Sequence, residues 1–297
     1  MKRREFMIHS GTGALALCAS SGSRAQSPAP DSGAKRARVC VSSWSFHNLF
    51  TATHDKKAPT LDKPLKALDF PEMIADRYHV HNLEIVSPHF ESSEPSYIRE
   101  LKARLERAHS RLVNIPVDYD ELWEKPALSA IDSKERQKAI SMYAKWIDIA
   151  HDIGARSVRC DPGIINLADP SPTIDSYKTL VARGRAKDIR VIVENHGTAS
   201  QHAEELVQIL KASGAGALPD FGNFPNEETR ARGLRLMFSL AVTVCHAKLN
   251  PARFDFGRCM QMSKDANYQG VYSIEAGGRG DPYEAVQQVV DALLQNL

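Results

Sequence analysis

The sequence predicts an α/β protein built as a single (β/α)8 TIM barrel over residues 38–297, and three observations predict it. Eight short β-branched runs alternate with amphipathic stretches from Val39 to the end, the pattern of parallel strands joined by right-handed crossovers. About 260 residues carry these runs, the length that eight strand-plus-helix units require. The first run is followed by "SSWSFHN" and not by a glycine-rich dinucleotide turn, which argues against an open doubly wound sheet.

Taken in order, the chain opens on residues 1–25, which have the make-up of a twin-arginine export signal. Arg3-Arg4 precede Phe6 and Met7, a modest apolar run follows, and Ser23-Arg24-Ala25 form a small-residue exit. The apolar run is too short and too glycine-rich for stable membrane insertion, so an exported, periplasmic protein is expected. Residues 26–37, "QSPAPDSGAKRA", read as a disordered linker.

The whole chain has a formal charge of +2, with 42% hydrophobic and 25% charged residues. Cleavage after Ala25 would remove four basic residues and Glu5, leaving a net charge of about −1. The basicity belongs to the signal, and the remainder lacks the phosphate-neutralising excess that nucleic-acid binding draws on. Cys18 leaves with the signal. Cys40, Cys160, Cys245 and Cys259 follow no CxxC or Cys/His zinc spacing and read mainly as small core residues.

The expected strands are 39–44, 82–86, 112–117, 157–160, 191–194, 216–220, 241–247 and 271–275. Helices are expected over 95–110, 133–155, 199–214 and 281–295, the second with Ser133 as N-cap and Gly154 as its stop. The stretch between Asn48 and Lys66, rich in Thr, Lys and Pro, reads as a lid or rim insertion.

The segment "RVIVENHG" (190–197) poses the functional question, because a buried strand has no evident reason to end in a carboxylate. The later strands answer it. Glu194 ends the fifth, Asp220 the sixth in "LPDFGNF", His246 the seventh in "VCHAKLN", and Glu275 the eighth in "YSIEAGG". Steps of about 26 to 29 residues are one strand-plus-helix unit each, so four ligand-type side chains fall on neighbouring strands at the C-terminal rim, where barrel enzymes place their chemistry. Three carboxylates so close raise one another's pKa unless a cation compensates. One divalent metal ion resolves this, with Mn²⁺, Mg²⁺ or Co²⁺ suiting three oxygens and an imidazole, and Zn²⁺ a less typical choice.

Other rim residues are candidate substrate contacts, each with a structural alternative. His196 follows the first ligand and serves either as a substrate contact or as a surface cap. Lys248 shares the face of His246 by strand alternation and offers charge to a carbonyl oxygen, or a rim salt bridge. Arg159 at the end of the fourth strand, Trp44 and Phe46 after the first, and His89 after the second complete the set; aromatic rings there suit a sugar face or simply pack the rim. In "GGRGDP" (277–282) the choice is between an anion site and a turn in which Asp281 caps the last helix.

The motifs "ENHG", "DFGN", "CHAK" and "SIEAGG" resemble the sugar phosphate isomerase/epimerase group of the xylose isomerase-like barrels, over nearly the whole chain after the signal. The resemblance implies one divalent metal on Glu194, Asp220, His246 and Glu275. It also implies proton transfer beside the carbonyl of a keto-sugar through an enediolate, with Glu194 and Glu275 as the catalytic pair. The chain departs from the epimerase pattern at three positions: Asn223 stands where those enzymes have His, Ala252 where they have a substrate-binding Arg, with Arg253 one place off, and Ser200 where they have Glu. A small carbohydrate is the expected partner. A lyase acting by β-elimination on a keto-glycoside, a non-catalytic sugar-binding barrel and a metal-dependent nuclease are the competing readings, the last opposed by the charge and by the missing additional His ligands.

Overall fold

A computed structural model of the chain describes residues 30–277 and 280–297, so the expected export signal and the first part of the linker lie outside the described residues. Eight parallel strands form one sheet: β1 (Val39–Ser42), β2 (Asn82–Glu84), β3 (Arg111–Val117), β4 (Ser157–Cys160), β5 (Arg190–Glu194), β6 (Gly216–Leu218), β7 (Val244–Ala247) and β8 (Val271–Ile274). β1 pairs with both β2 and β8, and the sheet runs β6-β5-β4-β3-β2-β1-β8-β7. Between β6 and β7 the ring is joined by isolated bridges, Ala217 to Ala241 and Asp220 to His246. A nearly closed barrel results.

Around it lie the helices α1 (Pro30–Arg36), α2 (Phe70–Tyr78), α3 (Pro95–Arg107), α4 (Asp120–Trp123), α5 (Ser133–Ile153), α6 (Ser171–Ala186), α7 (Ala203–Ser213), α8 (Glu227–Phe238), α9 (Phe256–Asp265) and α10 (Pro282–Asn296). On α3, Ile98, Leu101 and Leu105 are the buried residues, the apolar stripe that the sequence spacing predicts. α5 stops at Gly154, whose φ of 85° is the left-handed cap that glycine adopts without a Cβ penalty. Its N-cap is Asp132, not Ser133: the Asp132 carboxylate accepts from Lys134 N, and a carboxylate also complements the helix dipole.

Part of the expected linker is ordered. Residues 30–36 form α1, held down by Lys35 Nζ donating to Leu294 O (3.1 Å) and Arg36 Nη1 to Tyr78 O (2.7 Å). Composition marks a loop here, but two long basic side chains reach the carbonyls at the ends of α10 and α2 and tie the segment to the barrel. Among the described residues no helix is long and apolar enough to cross a membrane.

Strand alternation places the chemistry. Cys40, Val113, Ile192, Leu218, Val244 and Val271 form an apolar cluster of their own, apart from the larger core between strands and helices. Two residues further along the strands, the same face carries Glu194, Asp220, His246 and Ser273, and Glu275 follows Ser273 by the same step. The barrel is thus plugged by an apolar layer with a polar layer above it, as inward-facing side chains in such barrels stack by layers. Between β2 and β3 the register shifts at Leu83/Glu84, so that Glu84 comes opposite Asn114. This shift puts another buried carboxylate in the polar layer.

Candidate metal centre

Glu194, Asp220, His246 and Glu275 converge at the C-terminal end of the barrel, each offering a ligand atom, and these atoms lie within 4.8 Å of one another. All four side chains are buried. His246 Nδ1 stands at the middle of the group, 3.2 Å from Glu194 Oε1, 3.4 Å from Glu275 Oε1 and 3.5 Å from Asp220 Oδ2.

Local backbone turns Asp220 toward this point. Its Oδ1 accepts from Gly222 N (2.6 Å) and Asn223 N (2.8 Å), leaving Oδ2 buried with no hydrogen bond aligned on it, although the Lys248 ammonium is 2.9 Å away. On the far side of the imidazole, Nε2 lies 3.0 Å from Glu84 Oε1. Glu84 also accepts from Asn114 Nδ2 (2.8 Å) and Ser273 Oγ (3.1 Å). A ring nitrogen proton committed to Glu84 leaves Nδ1 with a lone pair aimed at three carboxylates, an arrangement that a cation at their centre would satisfy.

The residues fit a divalent metal: three carboxylates and one imidazole converge, one carboxylate oxygen has no aligned donor, and a carboxylate orients the imidazole from behind. The electrostatics of the protein alone show how strained the group is without one. Burial opposes charge on His246, yet Glu275, Glu84 and Glu194 hold it well above its ordinary range. Burial raises Glu275 despite the opposing charges of His246 and Lys248. For Glu194 burial is outweighed by His246 and Arg159, which hold it well below the carboxylate range. The three carboxylates thus favour a proton on His246, and a metal held by the same group would compete with that proton.

Replacing Glu84 with Gln is expected to weaken metal binding by roughly 10- to 100-fold while leaving the four ligands in place, the effect of losing a charged partner behind a metal-bound histidine. Calorimetric titration with Mn²⁺ checks it; wild-type affinity in the variant would show that Glu84 serves packing alone.

Asn223, expected at the substrate, lies beside the candidate metal ligands. Its Nδ2 donates to Glu194 Oε1 (2.9 Å) and its Oδ1 accepts from Lys248 Nζ (3.1 Å). Lys248 faces the same interior as His246, as strand alternation predicts, with Nζ also 3.0 Å from Glu275 Oε2. Its stem runs over Gly222, where a Cβ would come within 2.8 Å of Lys248 Cδ. A cavity of about 330 Å³ opens above, lined by Trp44, Asn223, Lys248, Arg253 and Glu275 among others, and Trp44 stacks on His47 with centroids 4.9 Å apart.

Three expected substrate contacts, His89, Phe46 and Arg159, are placed differently. His89 is buried, stacked on Phe50 at 3.8 Å, with Nδ1 2.8 Å from Ser43 Oγ and Nε2 2.8 Å from Thr53 Oγ1. Both ring nitrogens are engaged, and burial pushes the imidazole down to about 3, so it packs the wall as a neutral ring. Phe46 likewise packs inward, against Phe70 and Tyr283. Arg159 is buried behind Glu194, with Nη1 2.5 Å from Glu194 Oε2 and Nη2 3.4 Å from Asp118 Oδ1 and 3.7 Å from Asp161 Oδ2. It grips the carboxylate of Glu194 and leaves the open cavity to other side chains.

His196 pairs with Asp161, Nδ1 to Oδ2 at 2.9 Å. Burial opposes its charge, but that bond and the carboxylates nearby raise it to about 9. Asp281 caps α10 by accepting from Tyr283 N (2.8 Å), the turn reading of "GGRGDP", of which Gly278 and Arg279 lie outside the described residues.

Sequence reasoning missed Glu84, Asp118 and Asp161. Each stands at or one residue beyond the end of its strand, the same signal that marked Glu194, but Glu84 is followed by Ile85 and Val86 and so reads as mid-strand.

Residues 78–295 match the family model described as xylose isomerase-like TIM barrel. The chain belongs to this family. Among solved structures, it is similar to D-allulose 3-epimerase from Methylomonas sp. (13% identity, TM-score 0.68, 88% of this chain and 98% of that one). It is also similar to a xylose isomerase-like TIM barrel protein from Mycobacterium smegmatis in complex with magnesium (15%, 0.63, 87% and 96%) and to a 3-keto-D-glucoside 4-epimerase from E. coli (14%, 0.63, 80% and 97%). At these identities the likeness to solved structures shows the fold. No curated protein sequence matches the chain.

Proposed function

We propose that this member of the xylose isomerase-like family is a divalent-metal-dependent isomerase or epimerase that moves a proton beside the carbonyl of a keto-sugar. The observation that carries the reading is the convergence of Glu194, Asp220, His246 and Glu275 on one point at the C-terminal mouth. Named relatives with epimerase activity, including the allulose and keto-glucoside enzymes, support it. A bound divalent ion, held by these four residues, would supply Lewis-acid stabilisation of charge on a substrate oxygen.

The chain's own residues do the rest. Glu275 lines the cavity and is raised by burial, toward the range in which a carboxylate exchanges protons efficiently. Glu194 reaches the same point from β5 and completes a pair that takes and returns a proton across an enediolate. Lys248, between Glu275 and Asn223, offers an ammonium to developing negative charge. Trp44 gives the cavity an aromatic face for a sugar ring. Residues 1–25, with Arg3-Arg4 ahead of the apolar run, support a periplasmic location as part of the proposal.

The test is deuterium wash-in from heavy water across free ketoses and keto-glycosides, using metal-loaded protein. Exchange beside the carbonyl of at least one sugar is expected, and Glu275→Gln is expected to reduce it by roughly 10²- to 10⁴-fold, the contribution of a positioned acid/base group. A non-catalytic sugar binder would show no exchange while retaining sugar affinity in the variant.

A further inference from the structure

Arg230 on α8 is 1% exposed, the bulkiest side chain so completely enclosed among the described residues. Each guanidinium nitrogen is engaged: Nε donates to Phe221 O (2.8 Å), Nη2 to Phe224 O (3.2 Å) and Nη1 to Glu227 Oε2 (2.8 Å). The Phe254 ring lies against the group, with Cζ 4.7 Å from its centroid. Glu227 is the carboxylate partner, but it is half-exposed and shared with Arg258 (3.1 Å). Burying a cation on so weak a counter-charge costs desolvation that an apolar side chain of the same volume avoids. Filling space does not account for Arg230. The two carbonyls do.

These carbonyls bracket the turn 221–224, which carries the backbone donors to Asp220. In a trans peptide the carbonyl oxygen and the following N–H point to opposite sides of the chain, and no described peptide is cis. Arg230 Nε on Phe221 O therefore turns the Gly222 N–H the other way, toward Asp220 Oδ1, to which it donates at 2.6 Å. Gly222 makes room for the Lys248 stem, since a Cβ there would lie 2.8 Å from Lys248 Cδ. Glycine also leaves its peptide planes freer than any other residue does. The neighbouring rings anchor the ends of the turn and not those planes: Phe221 meets Phe238 and Phe256 edge-on, and the Phe224 ring sits against Gly233 of α8, where a Cβ would come within 2.3 Å of it. The guanidinium supplies the restraint that glycine lacks.

We propose that Arg230 is a positioning residue for the candidate metal centre: by fixing the Phe221–Gly222 peptide it keeps Asp220 Oδ1 on the backbone and presents Oδ2 to a metal. This rests on the metal-dependent reading above. Calorimetric titration with Mn²⁺ of the wild type, Arg230→Lys, Glu227→Gln and Leu293→Ala tests it, beside the unfolding midpoint of each metal-free protein. Lysine keeps a cation next to Glu227 but cannot bond two carbonyls as a planar fork does. A loss of Mn²⁺ affinity of roughly ten-fold or more is expected for Arg230→Lys, the size seen when outer partners of a metal ligand are removed, with a changed Mn²⁺ electron paramagnetic resonance line shape in the folded variant. Glu227→Gln, at a half-exposed position that leaves the core intact, loosens the anchor of Nη1 and is expected to cost roughly two- to five-fold. Leu293→Ala opens a void beneath α10, lowers the midpoint and is expected to bind Mn²⁺ as the wild type does, which separates loss of stability from loss of aim. Wild-type affinity in folded Arg230→Lys, or in Glu227→Gln should the lysine variant not fold, would overturn the proposal and leave the metal reading standing, as would an equal loss in Leu293→Ala. A wild type that binds no Mn²⁺ would overturn both.

Discussion

On the proposed reading, Glu194→Gln is expected to abolish divalent-metal binding and to lower turnover by roughly 10³-fold or more, since one substitution would remove both a candidate ligand and half of the proposed acid/base pair. The variant is nearly isosteric, so the packing of β5 is kept and a Gln oxygen can still accept from Arg159 Nη1, now bonded at 2.5 Å. What disappears is the negative charge that His246 and a metal both face. By contrast, His246→Ala would leave the fully buried Glu84 carboxylate without its imidazole partner and open a void, mixing loss of metal with loss of stability. Metal content by mass spectrometry after dialysis, read beside the unfolding midpoint, checks the prediction. About one ion per chain in the wild type and almost none in a folded Glu194→Gln protein is the expected result. A full complement of metal in the variant would remove Glu194 from the ligand set.

The convergence of the four candidate ligands was legible in the sequence because each follows an apolar strand at the repeat interval of the barrel, a signal that depends only on chain order and period. Strand existence was legible for the same reason, while the ends were not. Ser43 and Trp44 leave β1 for a 3-10 turn, and β7 begins at Val244, three residues later than the apolar run beginning at Ala241 suggests. The supporting groups were harder to see. Glu84 meets His246 only because β2 and β7 lie across the barrel interior from one another, and His89 is buried against Phe50, far from it in sequence order, which supplies a stacking surface. α1 becomes ordered through contacts with residues at the other end of the chain. Such partners are set by tertiary proximity, which composition and period do not encode.

Arg159 is the place where tertiary proximity has its largest expected effect on stability. The guanidinium is buried among Asp118, Asp161 and Glu194, and removing one member of a buried ion group leaves uncompensated charge in a low-dielectric site. Arg159→Met keeps much of the apolar volume and is expected to destabilise the metal-free protein by about 3–5 kcal/mol, a fall of roughly 10 °C in Tm for a domain of this size. The pH dependence gives the mechanism away. In the wild type, Glu194 is held well below its unfolded value, so the stability it contributes is present at neutral pH and is lost as pH falls through the folded value. Asp118 is already raised by burial despite Arg159, and without the guanidinium it rises further. A carboxylate whose folded pKa exceeds its unfolded one binds more protons in the folded state, so the variant gains on acidification and loses as pH rises. The deficit relative to wild type should therefore shrink between about pH 7 and about pH 5. Urea unfolding of both proteins in the presence of chelator, which keeps metal linkage out of the comparison, measures it. A deficit independent of pH would mean that Arg159 stabilises by packing its stem, and that Glu194 owes its orientation to the strand alone.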